Sequence, residues 1–242
     1  MRYFLFVALL LSLSACASSK LQHPTTAQYY LKQGEKYSKQ GLYDKAIESW
    51  QKVRESFYSP ELNALADMKI ADAHYAAKQY IEAAAAYDDF LKQHPNNSRT
   101  PEILYKLGMS YDKQILSYDR DQTATHNALA TFESLNKLYP EVAKKDGVPA
   151  IIKQCRELLA EQDFYIGHFY MKIHHPQAAI DRFKDLFSRF PDYEHLDKVY
   201  FYLGKAYLKK GDRKEAKSAF NTLLSKYPNS SYLKDVNELR KD

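Results

Sequence analysis

Along most of the chain, apolar residues recur every three or four positions between polar ones. That spacing lays one apolar stripe along an amphipathic α-helix. Five stretches share a common order: a small residue, an aromatic three positions on, an Ala, an aromatic four after it, and often a Pro eight further. The first has Gly34, Tyr37, Ala46 and Trp50, and the second Ala71, His74, Ala83, Tyr87 and Pro95, with His in the aromatic place. The third has Gly108, Tyr111, Ala128, Phe132 and Pro140. The fourth has Gly167, Tyr170, Ala179, Phe183 and Pro191, and the fifth Gly204, Tyr207, Ala216, Phe220 and Pro228. The small residue and the Ala are twelve apart in four stretches and twenty apart in the third, which carries an insertion. Each stretch predicts two helices packed face to face. Gly or Ala lets them approach closely where they cross, and the aromatic fills the space beside it. Pro then ends the second helix, because it lacks an N–H and clashes with the preceding turn.

This is the spacing of the tetratricopeptide repeat, a helix–turn–helix of about 34 residues. It predicts an all-α protein, an α-solenoid of about five repeats at roughly 27–60, 61–99, 100–145, 146–194 and 195–242. Ser59-Pro60-Glu61 and Thr100-Pro101-Glu102 each read as an N-cap, a Pro at the first helical position and an acid at the positive helix end. Gly41 and Gly211 fall where the turns of the first and fifth repeats belong. Repeats of this kind bury their faces against neighbours and leave an extended concave groove. The groove is expected to take first-helix positions three before and four and five after the small residue: Leu31, Ser38 and Lys39, then Met68, Tyr75 and Ala76. Leu31, Met68 and Tyr75 have no evident core to join. With Lys39 they are expected to wall a groove for an extended or hairpin-like client. The other reading packs that wall against the chain's own segment from Leu21 to Ala27.

The chain opens differently. Arg2 gives a positive tip, Tyr3 to Leu13 an apolar run of eleven residues, and Ser14-Ala15 small residues at a cleavage point. A membrane-spanning helix needs about 20 apolar residues, so residues 1–15 read as a signal peptide. The next residue is Cys16, and Leu13-Ser14-Ala15-Cys16 resembles the lipobox of bacterial lipoproteins. The resemblance implies a diacylglyceryl group on the Cys16 sulfur, an acylated amine, and a tether over 16–26. More than one acyl chain is what stable anchoring requires. The alternative is a chance cysteine closing a plain secretory signal. Ala17-Ser18, standing where an Asp would signal inner-membrane retention, favours the outer membrane.

Composition adds little chemistry. Residues from Leu196 onward carry 11 Lys/Arg against 6 Asp/Glu, while 16–195 carry 23 against 24. The basic end fits either an acidic partner or anionic head groups, or a solvated Lys-rich face. Cys155 has no partner once Cys16 is lipidated, and in a helical pattern it reads as a small buried hydrophobe. No nucleophile elbow, phosphate loop, dinucleotide fingerprint or zinc-protease motif occurs. His174-His175 lack companions at metal-ligand spacing. Asp119-Arg120-Asp121 lacks the Gly and closing Glu of a calcium loop, and reads as capping the insertion. The many Tyr at helical spacing are assigned mostly to core and groove wall, not to a nucleic-acid platform. The expectation is therefore a protein that is not an enzyme and has neither cofactor nor metal.

Several stretches resemble the BamD family of outer-membrane lipoproteins. These are "HPNN" closing the second repeat, "DRDQTATHNALATFESL" and then "YP" in the long third one, "LAEQDFYIGHFY" opening the fourth, and "AAIDRFKDLFSRFPD". The first repeat departs from that pattern, with Ser56-Phe57-Tyr58 in place of "YP" and Pro60 displaced. The resemblance implies a scaffold of the β-barrel assembly machinery. Its C-terminal repeats would dock on periplasmic domains of a BamA-like barrel-assembly protein, beside other lipoproteins of the complex. Its N-terminal repeats would receive unfolded outer-membrane protein. Arg182, next to Phe183, is the position implied for docking, unless it is simply a solvated helix arginine. Two other classes remain: a pilotin-like lipoprotein that assembles a secretin, and an envelope enzyme such as a peptidoglycan hydrolase.

Overall fold

A computed structural model describes residues 26–57 and 59–239. The leader, Cys16 and the tether up to residue 25 lie outside the described residues. Twelve helices occur among the described residues, and no strand. They are α1 (Ala27–Lys39), α2 (Tyr43–Ser56), α3 (Pro60–Ala76), α4 (Tyr80–Gln93), α5 (Thr100–Asp112) and α6 (Thr123–Leu138). Then follow α7 (Pro140–Lys145), α8 (Val148–Lys172), α9 (Pro176–Arg189), α10 (Leu196–Lys210), α11 (Arg213–Lys226) and α12 (Leu233–Leu239). The protein is all-α and built of tetratricopeptide-type helix pairs. It divides into two compact units, one ending at Ala73 and the other starting at His74, so the division falls inside α3.

In the first unit, Thr26 caps α1 by accepting the Tyr29 N–H at 3.2 Å. Gly34 lies under the Trp50 indole so closely that a Cβ there would stand 2.3 Å from Nε1. That nitrogen donates to the Leu31 carbonyl at 3.3 Å, which fixes the ring across the helix crossing. Leu31, Trp50, Val53 and Ile70 belong to one core. Arg54 pairs with the buried Asp67 at 2.8 Å, and Lys69 with Glu35 at 2.9 Å.

The same contact recurs in the second unit. A Cβ would meet Phe132 at 2.6 Å from Gly108, Phe183 at 2.5 Å from Gly167, and Phe220 at 2.3 Å from Gly204. The insertion between α5 and α6 is held from inside by Gln122, a buried residue. Its Nε2 donates to the carbonyl of Ser117 at 2.7 Å, and its Oε1 accepts the Thr125 hydroxyl at 2.6 Å. Asp121 accepts the Thr123 N–H at 3.0 Å, where the insertion meets the start of α6. The cap expected at Thr100 differs. Thr100 is already helical and donates its hydroxyl to the Asn97 carbonyl at 2.7 Å, whereas Ser59 does accept the Leu62 N–H at 3.4 Å.

Four hairpin turns are built alike. Gly41, Lys78, His174 and Gly211 have φ of 73°, 61°, 61° and 94°. The residue after each donates to the carbonyl five positions back, as in Leu42 to Tyr37 at 3.0 Å and His175 to Tyr170 at 2.9 Å. Only two of these left-handed positions carry the residue suited to them. A left-handed backbone costs a non-Gly residue about 1–2 kcal/mol. Gly's extra freedom in the unfolded chain gives back about 0.4–1 kcal/mol. His174→Gly is therefore expected to stabilise the fold by up to about 1 kcal/mol, read as a higher Tm. A lower Tm would show that the His174 side chain holds the turn.

One helix is longer than a repeat requires. α8 runs for 25 residues, starting after Gly147 at φ 71°. Its first half shares a core with α6 through Phe132, Leu135, Val148 and Cys155. Its second half shares another with α9 through Ala160, Phe164 and Phe183. Cys155 is 2 % exposed, and burial pushes its thiol up to about 11. It is a packed hydrophobe, protonated and unreactive at neutral pH.

Candidate functional site

The residues expected to wall the groove meet different fates. Leu31 and Met68 are buried, which corrects the expectation that they stand free of a core. The error has a physical cause: a neighbouring helix covers the stripe that a single helix seems to leave bare. Leu31 packs among Ala46, Trp50 and Ile70. Lys39 is exposed at the end of α1, Ser38 is half-buried and Ala76 is exposed. Tyr75 is half-buried and sits edge-on to Tyr80 at 5.3 Å. Burial is the main cause that raises its phenol pKa, against the opposing charge of Lys113. Of the four residues expected to wall the groove, Lys39 and Tyr75 are thus the two that still offer surface.

Arg182 is half-buried on α9, one position before the fully buried Phe183. Its charge acts inward as well as outward. Asp163 on α8 is 5 % exposed and pairs with Arg189 at 2.7 Å. Burial raises the Asp163 pKa, while Arg189 and then Arg182 work to lower it. Arg182 is accordingly part of the field that opposes the effect of burial on this acid.

Sequence reasoning missed a polar lattice that joins α8 to α10 and to the segment before it. Glu161 accepts two bonds from Lys198 Nζ, at 2.9 and 3.0 Å, and the Tyr193 hydroxyl also donates to it. Burial, and then that bond to Glu161, push the Tyr193 phenol well above its ordinary value. Lys198 also stands 4.0 Å from the centroid of the Phe164 ring. Arg156 grips Asp192 at 2.8 Å and the Arg189 carbonyl at 3.2 Å. A pocket of about 590 Å³ opens beside this lattice, lined by Lys153, Glu157, Leu158, Glu161, Tyr193 and His195 among others. Two of its carboxylates already hold protein groups, since Glu157 accepts the Glu194 N–H at 3.3 Å. The lattice positions backbone and side chains. It pairs no nucleophile with a base.

Sequence reasoning also assigned most of the helical Tyr to core or groove. Tyr165 and Phe169 on α8, and Ile173 just past its end, are instead 42 %, 48 % and 42 % exposed. Their spacing of four residues was visible, but it marks an outward stripe as readily as an inward one. Among the described residues no helix is long and apolar enough to cross a membrane. No group of three or more His, Cys, Asp or Glu is placed among them to hold a metal ion.

A family model described as "YfiO: Outer membrane lipoprotein" matches residues 23–218. Outer membrane protein assembly factor BamD of Caulobacter vibrioides is 28% identical over 155 residues, 64% of this chain and 51% of that protein. BamD of Rickettsia prowazekii is 28% identical over 153 residues, 63% of this chain and 61% of that protein. The matched part of the chain thus spans about half to three fifths of the length of these relatives. Among solved structures, the TPR2AB domain of yeast Sti1 in complex with pHSP90 is 18% identical, with a TM-score of 0.43 over 84% of this chain and 78% of that one.

Proposed function

The chain belongs to the YfiO family of outer membrane lipoproteins, and we propose that it works as a non-enzymatic scaffold for the assembly of β-barrel proteins. The family match over residues 23–218 carries this reading, and the relatives named as assembly factors support it. In this proposal lipid on Cys16 holds the chain at the periplasmic face of the outer membrane. The C-terminal hairpins, through Arg182, receive a BamA-like barrel protein, with other lipoproteins of the assembly beside it. The N-terminal hairpins hold unfolded outer-membrane protein, with Lys39 in the first unit and Tyr75 in the second as separate contact positions, while Leu31 and Met68 stay in the core. A pull-down of the solubilised lipoprotein is expected to recover a BamA-like barrel. Recovery of a single secretin instead would replace this reading with the pilotin-like one.

Two predictions test its parts. Cys16→Ser is expected to abolish incorporation of a fatty-acid analogue and to leave the protein uncleaved or soluble; equal labelling of variant and wild type would remove the lipid anchor. Charge reversal in Arg182→Glu is expected to weaken capture of a BamA-like periplasmic fragment at least tenfold, about 1.4 kcal/mol, and to spare crosslinking of a barrel-strand peptide near position 75. Tyr75→Ser should do the opposite. If either variant melts cooperatively yet loses both interactions, the division between the two ends is wrong.

A further inference from the structure

The outward stripe of α8 does not stand alone. Tyr118, at the far end of the insertion, is exposed and meets Tyr165 edge-on at 5.7 Å. Gln162 Nε2 donates to the Arg120 carbonyl at 3.3 Å and fastens the insertion to α8 at this point. Leu116, 51 % exposed, belongs to the same loop, whose shape Gln122 sets from within. The ridge of Tyr118, Tyr165, Phe169 and Ile173 runs to the hairpin tip, where Lys172, His174 and His175 are all exposed.

The electrostatics of the ridge are one-sided. From Gln162 through Ile180 the only carboxylate in the sequence is Asp163, which is buried and paired with Arg189. Lys172 stands on the ridge itself, and Lys209 reaches the end of α8 by donating to the Met171 carbonyl at 3.3 Å. His168, half-buried between Phe164 and Tyr202, feels Lys172, Lys205 and Lys198 together. Along the second half of α8 and the tip beyond it, a protruding row of Tyr, Phe and Ile is bordered by lysines with no exposed acid, the exposed Asp119 and Asp121 lying in the insertion beside Tyr118. This is the composition of side chains that sit at a bilayer interface. There aromatic rings lie at head-group level, and lysine stems lie along apolar surface with their charge among phosphates.

We propose that this ridge of α8 and the insertion rests on the membrane surface, with its rings among the head groups and Lys172 and Lys209 against anionic phospholipid. Membership in a family of outer membrane lipoproteins puts such a surface within constant reach. A weak interfacial contact is then sufficient, because a molecule held at the membrane meets the second contact at high effective concentration. The contact fixes which side of the second unit faces the lipid and leaves its other faces to protein partners.

The test uses the full-length lipoprotein reconstituted in vesicles of phosphatidylethanolamine and phosphatidylglycerol, the latter with brominated acyl chains. The wild type has one tryptophan, Trp50, which is buried. Phe169→Trp is expected to add an emission component that the bromines quench, and quenching should weaken with Lys172→Glu or when phosphatidylcholine with the same brominated chains replaces phosphatidylglycerol. Leu138→Trp, an exposed position outside the ridge, should add emission that is not quenched. Tyr165→Trp gives the same reading should Phe169→Trp fail to fold. Unquenched Phe169→Trp on vesicles that carry the protein overturns the proposal, as does equal quenching of Leu138→Trp. Emission at position 169 that responds to a barrel-strand peptide and not to lipid also overturns it, and assigns the ridge to a protein client.

Discussion

Gly204→Leu is expected to be the most damaging single change in the second unit. A Cβ at 204 would stand 2.3 Å from Phe220 Cε1 and 2.6 Å from Cζ, and leucine adds three more carbons in the same direction. Phe220 cannot swing away cheaply, because it is 1 % exposed and belongs to the core with Phe201, Leu223 and Val236. Overpacking of this kind costs about 1–3 kcal/mol and sometimes more. In a protein of this size that corresponds to roughly 2–4 °C of Tm per kcal/mol. Gly211→Ala is the matched comparison. Nothing lies within 4 Å of its added Cβ, so the cost there is the left-handed backbone, about 1–2 kcal/mol, less the about 0.4–1 kcal/mol that a stiffer unfolded chain returns. Thermal melts in the reverse order would show that α10 and α11 do not cross at Gly204.

Removal of the Arg189 side chain is the second large effect, and it carries a pH signature. Arg189→Ala leaves Asp163 buried without its close partner, for which about 1–3 kcal/mol is expected. The lower part of the range applies because Arg189 is itself 46% exposed and Arg182 still acts on the acid. Burial already holds the Asp163 pKa above its unfolded value of 3.8. An acid raised in this way binds its proton more readily folded than unfolded. Its contribution is therefore greatest below the unfolded pKa and is lost as pH rises through the folded one. Losing Arg189 raises the folded pKa further, so the variant should lose more stability relative to wild type at about pH 8 than at about pH 5. Asp163→Asn added to Arg189→Ala should flatten that difference. A pH-independent deficit would mean that Arg189 stabilises through its stacking on Phe190, 5.0 Å away, and not through Asp163.

The helix pairs were readable because their signal is local and repeated. Gly108 with Phe132, Gly167 with Phe183 and Gly204 with Phe220 make one contact three times, and spacing alone finds it. Exposure is a different kind of fact. Leu31 and Met68 carried the same apolar signature whether covered or bare, and only the neighbouring helices decide. The reverse error fell on Tyr165 and Phe169, whose stripe faces out. The spacing of the fourth repeat puts His174 in a turn, but the left-handed backbone there and at Lys78 stayed hidden, since such a position is legible in sequence when Gly fills it and illegible when Lys or His does. The lattice of Glu161, Tyr193 and Lys198 joins residues 32 to 37 positions apart, beyond any local pattern.

The long α8 has a mechanical consequence. Repeat proteins usually flex where one hairpin is joined to the next, because a loop there can bend. Between the α6 core and the α9 core no such joint exists, since one uninterrupted helix serves both. At about 1.5 Å per residue its 25 residues form a strut roughly 37 Å long. A load at the Val148 end reaches the Lys172 tip as rotation of the whole strut, with little lost to bending on the way. The stretch from the insertion to α9 should therefore behave as a lever in a chain of hinges, and move or melt as one piece.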